Sequence, residues 1–339
     1  MTAAAKRDII AIGGSAGSGA VLRQLIGDLP ADFPASVFVS THMPAHAPAL
    51  LSESLSSRTA IPVAQAIDGQ PIEPGRVYVA APDRHLLLVD GTIRLGEGPR
   101  ENMVRPAIDP LFRSAALAYG PRVVGVVLTG MLNDGASGLH AIKACGGTAV
   151  VQNPMDAEAE QMPVAALETT DVDHVVPASE LGHLLVSIAG SDAGPAQQPS
   201  ADLRMEVQIA AGVRLGSDRL RQLATPSPLS CPDCHGVLSE MRDTHPLRYR
   251  CQIGHASTAQ VLAARGDEVD EAIRVAMRVM EERVTLVERM ALDARQAGRA
   301  AVAELYEGRA EEYRRYATTL RDAAVASLRL GRAPRAQDI

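Results

Sequence analysis

The chain lacks any apolar run approaching the ~20 residues that a membrane-spanning helix needs. It also lacks an excess of positive charge. Lys and Arg number 33 against 40 Asp and Glu, a formal net charge of −7, which argues against nucleic-acid binding by bulk electrostatics and leaves only a local basic face open. Cysteine is scarce, four in 339 residues, with three of them between 231 and 251. That is a metal-site pattern in a reducing compartment rather than a disulfide framework. Met1-Thr2-Ala3-Ala4-Ala5-Lys6-Arg7 is too short before the first apolar segment to be a signal peptide. A cytoplasmic location is the expectation. What is present is ordinary globular composition, 46% hydrophobic and 22% charged, in a chain longer than one typical domain.

From residue 8 to about 190, strand-like and helix-like segments alternate. Asp8-Ile9-Ile10-Ala11-Ile12 is followed by a helix over Ala20–Ile26, which Gly27-Asp28-Leu29-Pro30 stops. Ser36-Val37-Phe38-Val39-Ser40 is a second strand, and residues 76–95 read as a hairpin with an Asp90-Gly91 turn. A helix is expected from Asp109, as N-cap, to Tyr119. Val123–Leu128, a helix over Ala136–Ala144, Thr148–Gln152, a short helix near Val164–Leu167 and His174-Val175-Val176 complete the series. Apolar runs without alternation, separated by helices, predict an α/β fold: a doubly wound, mainly parallel, Rossmann-like sheet.

Three polar residues fall just past strand ends in this reading: Ser15, His42 and Asp134. Strand carboxyl ends share one edge of a parallel sheet, where ligand crevices form. A hydroxyl, an imidazole and a carboxylate meeting there can act as nucleophile, general base and orienting acid. Gly13-x-Ser15-x-Gly17 fits a nucleophile elbow. The competing phosphate-loop reading is weak, because neither G-x-G-x-x-G nor G-K-[ST] is present and no acid ends the second strand. Asp134 could instead cap the helix that follows it. His46 offers a metal pair with His42, but Pro44 and Pro48 work against a regular helix there.

Beyond residue 190 the composition changes. Residues 190–200 are rich in Gly, Pro, Ser and Gln and read as a flexible linker. Cys231-x2-Cys234-x16-Cys251-x3-His255 suits a closed tetrahedral zinc site, with His235 and His245 as other candidates for the fourth ligand. From Asp267 to about Leu330 the chain is helical, with a break at Gly298. Val269, Ile273, Met277, Met280, Val284, Val287 and Met290 or Ala291 form a seam at steps of three and four, continued by Tyr313, Ala317, Leu320, Ala324 and Leu328. A helical hairpin follows, its seam packed on its own second helix or on a partner. The expected division is 1–190 catalytic, 191–225 linker, 226–258 zinc-knuckle module and 259–339 helical-hairpin tail.

Residues 8–188 closely resemble the catalytic domain of the chemotaxis protein-glutamate methylesterases (CheB-type). The resemblance rests on Ile12-Gly13-Gly14-Ser15, Thr41-His42-Met43-Pro44, Val79-Ala80-Ala81-Pro82, the block from Arg105-Pro106 to Ala115-Ala116, Thr129-Gly130-Met131 with Asp134-Gly135-Ala136, and Met162-Pro163-Val164-Ala165-Ala166. Ala16-Gly17-Ser18-Gly19 stands where the family typically has Thr-Gly-Gly. The resemblance implies a serine esterase needing no cofactor, with Ser15, His42 and Asp134 as catalytic triad. Its substrate would be glutamate γ-methyl esters, or deamidation-prone glutamines, on the cytoplasmic helices of methyl-accepting chemoreceptors. Backbone N–H groups of Ala16 and near Met131 are candidates for the oxyanion hole. Arg105 would dock an acidic receptor surface or form an internal ion pair. Only seven residues precede the first strand, so phosphorylation gating through a receiver domain is expected to be absent and residues 1–190 to act alone.

Cys231-Pro232-Asp233-Cys234 and Arg250-Cys251-Gln252-Ile253-Gly254-His255 resemble the Cys/His-rich extensions of some stand-alone methylesterases, implying a structural zinc. A homodimer through the C-terminal helices is the candidate assembly. Neither nucleic acid nor membrane insertion is expected; a zinc-ribbon DNA binder is disfavoured by the acidic total and by Glu281-Glu282 and Glu311-Glu312. The alternative function is a scaffold of a chemosensory pathway that keeps an inactive esterase fold.

Overall fold

A computed structural model describes residues 5–48, 50–214, 216–242, 244–264 and 266–330, with side chains at 266–270 and 326–330 excluded. Two compact units result, Met1–Val261 and Leu262–Ile339.

The first unit is built on seven parallel strands. They are β1 (Ile9–Gly14), β2 (Ser36–Thr41), β3 (Val63–Gln65), β4 (Val77–Val79), β7 (Val123–Val127), β8 (Thr148–Gln152) and β9 (His174–Val176). β5 (His85–Val89) and β6 (Thr92–Gly96) form a separate hairpin. The sheet order is β3-β4-β2-β1-β7-β8-β9. All six residues of β1 are buried, because its two faces bury different residues. Ile10 and Ile12 lie with Val37, Val39, Val124 and Val126 in one core, against Leu22 and Leu25 of α1 (Ser18–Gly27) and Leu181 and Leu185 of α6 (Ala178–Ile188). Ile9 and Ala11 lie in the other core with Leu111 and Phe112 of α3 (Ile108–Tyr119), Leu139 and Ile142 of α4 (Ala136–Ala144), and Met162 of α5 (Gln161–Thr169). This is the period-two division of a strand covered on both faces. Gly125 has a packing reason: a Cβ there would lie 2.6 Å from Ile142 Cδ1 and 2.8 Å from Leu139 Cδ1.

Three expectations need correction. Val77–Val79 belongs to the parallel sheet, paired with β2 and β3, and the hairpin begins at His85. α3 starts at Ile108 after Ala107, so Asp109 is not its N-cap. The expected linker carries two helices, α7 (Ala201–Ala210) and α8 (Gly216–Leu223). A short α2 (Leu50–Ser56) also escaped the sequence pattern.

The chain continues into an antiparallel sheet of β10 (Ala224–Ser230), β11 (Val237–Met241), β12 (Arg248–Cys251) and β13 (Ala256–Thr258), in sequence order. Its attachment to the first sheet's domain is ionic and buried. Arg248 grips Glu206 of α7 through both oxygens at 2.6 and 2.7 Å, and Arg250 reaches Glu206 and Glu101 at 3.2 Å each. Arg113 of α3 pairs with Glu101 and lies 3.5 Å from Glu206. All five side chains are nearly inaccessible, so each charge depends on the others. Residues 226–258 thus belong to one compact unit ending at Val261, within which Met241 joins a small apolar cluster with Ile209, Leu220, Leu223 and Ala224. α9 (Ala259–Ala263) follows β13.

In the second unit, α10 (Gly266–Gln296) and α11 (Ala300–Leu330) flank Gly298 at φ +70°. Ala291, Ala294, Ala303, Ala310 and Ala317 are buried along the seam. Arg295–Glu307, Arg314–Glu288 and Arg321–Glu281 join the two helices along its flank. The seam packs on the hairpin's own second helix, one of its two expected partners, while Ile273, Met277, Met280, Val284 and Val287 stay half-buried. Val269 and Leu328 lie outside the described side chains.

Candidate active site and metal centre

β1 is the central strand. The chain passes to β2 on one side of it and later returns to β7 on the other. Ligand crevices form at such a switch point, outside the carboxyl ends of the strands. Ser15 leaves β1 there; its N–H donates to Thr129 O at 3.0 Å, and Gly17 at φ +77° turns the chain into α1. Gly130 permits this approach, since a Cβ there would lie 2.9 Å from Ser15 Cβ and 2.0 Å from Met162 Sδ. His42 leaves β2 and presents Nδ1 to Ser15 Oγ at 3.0 Å. Its Nε2 meets Asp134 Oδ2 at 2.7 Å. The three residues singled out from the sequence therefore form one relay.

Asp134 is buried, and its oxygens collect donors from several elements. Oδ2 also accepts the Ile108 N–H at 2.7 Å, while Oδ1 accepts Asn102 Nδ2 at 3.0 Å, Gly135 N–H at 3.1 Å and Asp109 N–H at 3.3 Å. Burial alone would push this carboxyl up; the His42 hydrogen bond and charge, with the Ile108 and Asn102 donors, outweigh it and hold it below the ordinary value. The capping expected for Asp134 therefore serves mainly α3, through Ile108 and Asp109. Asp109 in turn accepts the Gly135 and Gly138 N–H groups at 3.1 and 2.7 Å, at the start of α4. The two aspartates cap each other's helices.

Of the two aspartates, Asp109 is the one pushed toward the protonated form. Burial first, then the Asp134 charge, raises its carboxyl to about 7. Between its ordinary value of 3.8 and 7 the folded state holds a proton that the unfolded chain has released, so stability falls as pH rises through that window. We expect a loss of about 2 kcal/mol between pH 5 and 7, contributed by this group. Asp109→Asn, which resembles the protonated acid, should flatten that slope in denaturant titrations at the two pH values. An unchanged slope would contradict the assignment.

Among the described residues no hydrogen bond occupies the N–H groups of Ala16 or Met131, beside the start of α1 and the end of β7. Arg105 makes the internal ion pair that was one of its two expected roles. Its guanidinium donates to Asp83 Oδ1 at 2.8 and 3.0 Å and to the Glu97 and Gly98 carbonyls. His85, deeply buried, accepts the Ala107 N–H at 3.3 Å through Nδ1 and donates from Nε2 to Pro99 O at 2.9 Å. Burial lowers its affinity for a second proton. Together these contacts fasten residues 97–107 against the site.

On β10–β13, Cys231, Cys234, Cys251 and His255 converge, their ligand atoms all within 4.8 Å of one another. Cys234 Sγ–Cys251 Sγ is 3.6 Å, and His255 Nδ1 lies 3.7 Å from Cys231 Sγ and 3.5 Å from Cys251 Sγ. A tetrahedral zinc with bonds of about 2.0–2.3 Å requires edges of roughly 3.5–3.8 Å between such atoms. The set fits. None of the cysteines is disulfide-bonded. His235 is exposed, and His245 faces the His140 ring instead. His46 joins no metal-ligand group among the described residues.

A parallel α/β sheet with a hydroxyl–imidazole–carboxylate relay at its switch point is the architecture of a serine hydrolase. A family model described as CheB methylesterase matches residues 10–185, and the chain belongs to the CheB methylesterase family. A protein-glutamate methylesterase/protein-glutamine glutaminase of Anaeromyxobacter dehalogenans is 39% identical over 182 residues, covering 54% of this chain and 53% of that protein. One from Methanosarcina mazei is 37% identical over 190 residues, covering 54% and 52%. The chain thus spans about half the length of these curated relatives. The crystal structure of the Thermotoga maritima CheB methylesterase catalytic domain superposes with TM-score 0.52 at 33% identity, covering 54% of this chain and 98% of that one.

Asn102, Asp109 in its actual role, and the Glu101–Arg113–Glu206–Arg248–Arg250 cluster were not foreseen. Arg248 and Arg250, two apart on a strand and so on one face, were a readable signal. Asn102 and Glu101 offered none.

Proposed function

We propose that this chain is a serine hydrolase that demethylates glutamate γ-methyl esters, and deamidates glutamines, on the cytoplasmic helices of methyl-accepting chemoreceptors. The Ser15–His42–Asp134 relay carries the reading. Ser15 Oγ attacks the ester carbonyl as His42 Nδ1 takes its proton, and Asp134 steadies the imidazolium through Nε2. The Ala16 and Met131 N–H groups receive the developing oxyanion. His42 returns the proton to the departing methanol, and water then hydrolyses the serine ester to release glutamate. Methanol release from methylated receptor membranes tests the proposal, and none above the uncatalysed rate would refute it. A cytoplasmic location suits this substrate; among the described residues no helix is long and apolar enough to cross a membrane.

Cys231, Cys234, Cys251 and His255 would hold one structural zinc. Four protein ligands leave no open position, so the metal would tie β10–β13 together rather than act on substrate. Full-length protein should contain about one zinc per chain by elemental analysis, and Cys251→Ser should lose it. A metal-free preparation with unchanged proteolytic resistance at 226–258 would refute this.

A further inference from the structure

The C-terminal sheet reaches the catalytic relay through one side chain. Asn102 uses its backbone N–H and both ends of its side-chain amide. Its N–H donates to Ala256 O at 2.8 Å, and its Oδ1 accepts the Thr258 N–H at 3.1 Å. Its Nδ2 donates to Asp134 Oδ1 at 3.0 Å and to Asp109 Oδ2 at 3.3 Å. The amide could rotate to present oxygen instead of nitrogen to Asp134. The Thr258 N–H forbids that, because an N–H can meet only the oxygen. Thr258 Oγ1 also donates to Asn133 Oδ1 at 2.7 Å, one residue before Asp134. Asn102 and Met103, at φ +50° and +67°, are the two central residues of a tight turn closed by the Glu101 and Val104 backbone groups at 3.0 and 3.2 Å. Through Asn102 this turn is bonded to β13, which begins at Ala256, the residue after His255. The Cys251 N–H donates to His255 O at 3.0 Å, closing the corner that carries two of the four candidate ligands.

We propose that the Cys/His centre is a working part of the hydrolase: metal fixes the 251–255 corner, β13 fixes Asn102, and Asn102 is a positioning residue for the Asp134 carboxylate. The proposal rests on the serine-hydrolase reading. Relay geometry then depends on metal occupancy, and a metal-stripped or thiol-oxidised chain keeps its triad but loses its alignment.

The test uses full-length protein and two probes of Ser15, p-nitrophenyl acetate hydrolysis and labelling by a fluorophosphonate. An unlabelled wild type would overturn the parent reading, separately from the coupling. Asn102→Asp retains the oxygen for Thr258 and the volume, but replaces the donor facing Asp134 with a carboxylate. It should lower kcat by roughly 10- to 100-fold, the usual effect of removing a partner that orients a reacting group, with KM little changed. Asn102→Ala should do the same. The proton NMR signal of the His42 ring N–H bonded to Asp134 should shift or broaden in both variants, which a remote structural role would not produce. Chelation of the wild type should lower kcat about tenfold and move the same signal, with recovery on adding zinc. Asn102 variants with wild-type kcat and an unmoved His42 signal would overturn the positioning role. A chelated protein that stays fully active, or unfolds globally by circular dichroism, would overturn the link to the metal.

Discussion

Ser15→Ala and His42→Ala should each lower turnover by about a millionfold, and the double variant should be hardly worse than either alone. The relay explains this non-additivity. At 3.0 Å from His42 Nδ1, the Ser15 hydroxyl becomes nucleophilic only as its proton leaves, and the imidazole has nothing to activate without it. Asp134→Asn should be nearly as damaging, by about 10⁴-fold, and for a reason specific to this site. His42, Ile108, Asn102, Asp109 and Gly135 all donate toward the two Asp134 oxygens. An amide nitrogen placed among them cannot accept, so either the His42 bond or the α3 cap is lost. Lower stability should accompany lower turnover in Asp134→Asn, whereas Ser15→Ala, half-exposed at the crevice, should leave stability unchanged. Substantial hydrolysis by Ser15→Ala would overturn the serine-ester mechanism.

The parallel sheet and the relay were legible because their signal is local. Five-residue apolar runs such as Val123-Val124-Gly125-Val126-Val127 declare a doubly covered strand, and Ser15, His42 and Asp134 stand at fixed offsets from such runs. The Cys/His spacing was legible for a similar reason, since a tetrahedral ion demands close pairs of soft ligands. The break at Gly298 was also readable from one residue. What escaped is non-local. Val77–Val79 looks like the first arm of a hairpin, and only pairing with β2 and β3 places it in the main sheet. Asp109 is a plausible cap for its own helix, yet its carboxylate serves α4, which begins 27 residues later at Ala136. Arg248 and Arg250 share one strand face, but Glu101 and Glu206 look like solvated charges until the chain brings them to Arg250 across 149 and 44 positions. No pattern within one element reports a partner at that distance.

Those buried charges predict that residue 190 is a poor place to cut, a different expected result from the autonomous 1–190 domain that the sequence suggests. Truncation there removes Glu206, Arg248 and Arg250 and leaves Arg113 with Glu101 on a newly exposed face. It also removes Thr258, and with it the contact that fixes the Asn102 amide toward Asp134. The 1–190 fragment should therefore be poorly soluble or far less active than the full chain, whereas a fragment ending near residue 262 should retain both fold and turnover. A point variant isolates the cause. Glu206 meets Arg248 in a two-oxygen bridge and lies within 3.5 Å of Arg250 and Arg113, and these three cations hold its carboxyl far below the ordinary range against the upward push of burial. Glu206→Gln leaves Arg248 buried without an acidic partner in a salt bridge, a loss of about 3–5 kcal/mol. In a unit of this size that is a fall in Tm of roughly 6–15 °C. The sign with pH follows from the lowered carboxyl. Its stabilisation is present above the ordinary glutamate value of 4.5 and disappears as pH falls towards the folded-state value, so wild type and variant should converge in acid. Thermal melts of both proteins at pH 7 and pH 3 measure this directly. Equal melting temperatures at pH 7, or an active and soluble 1–190 fragment, would show that the C-terminal sheet is an appendage rather than a part joined to the catalytic domain by its buried charges.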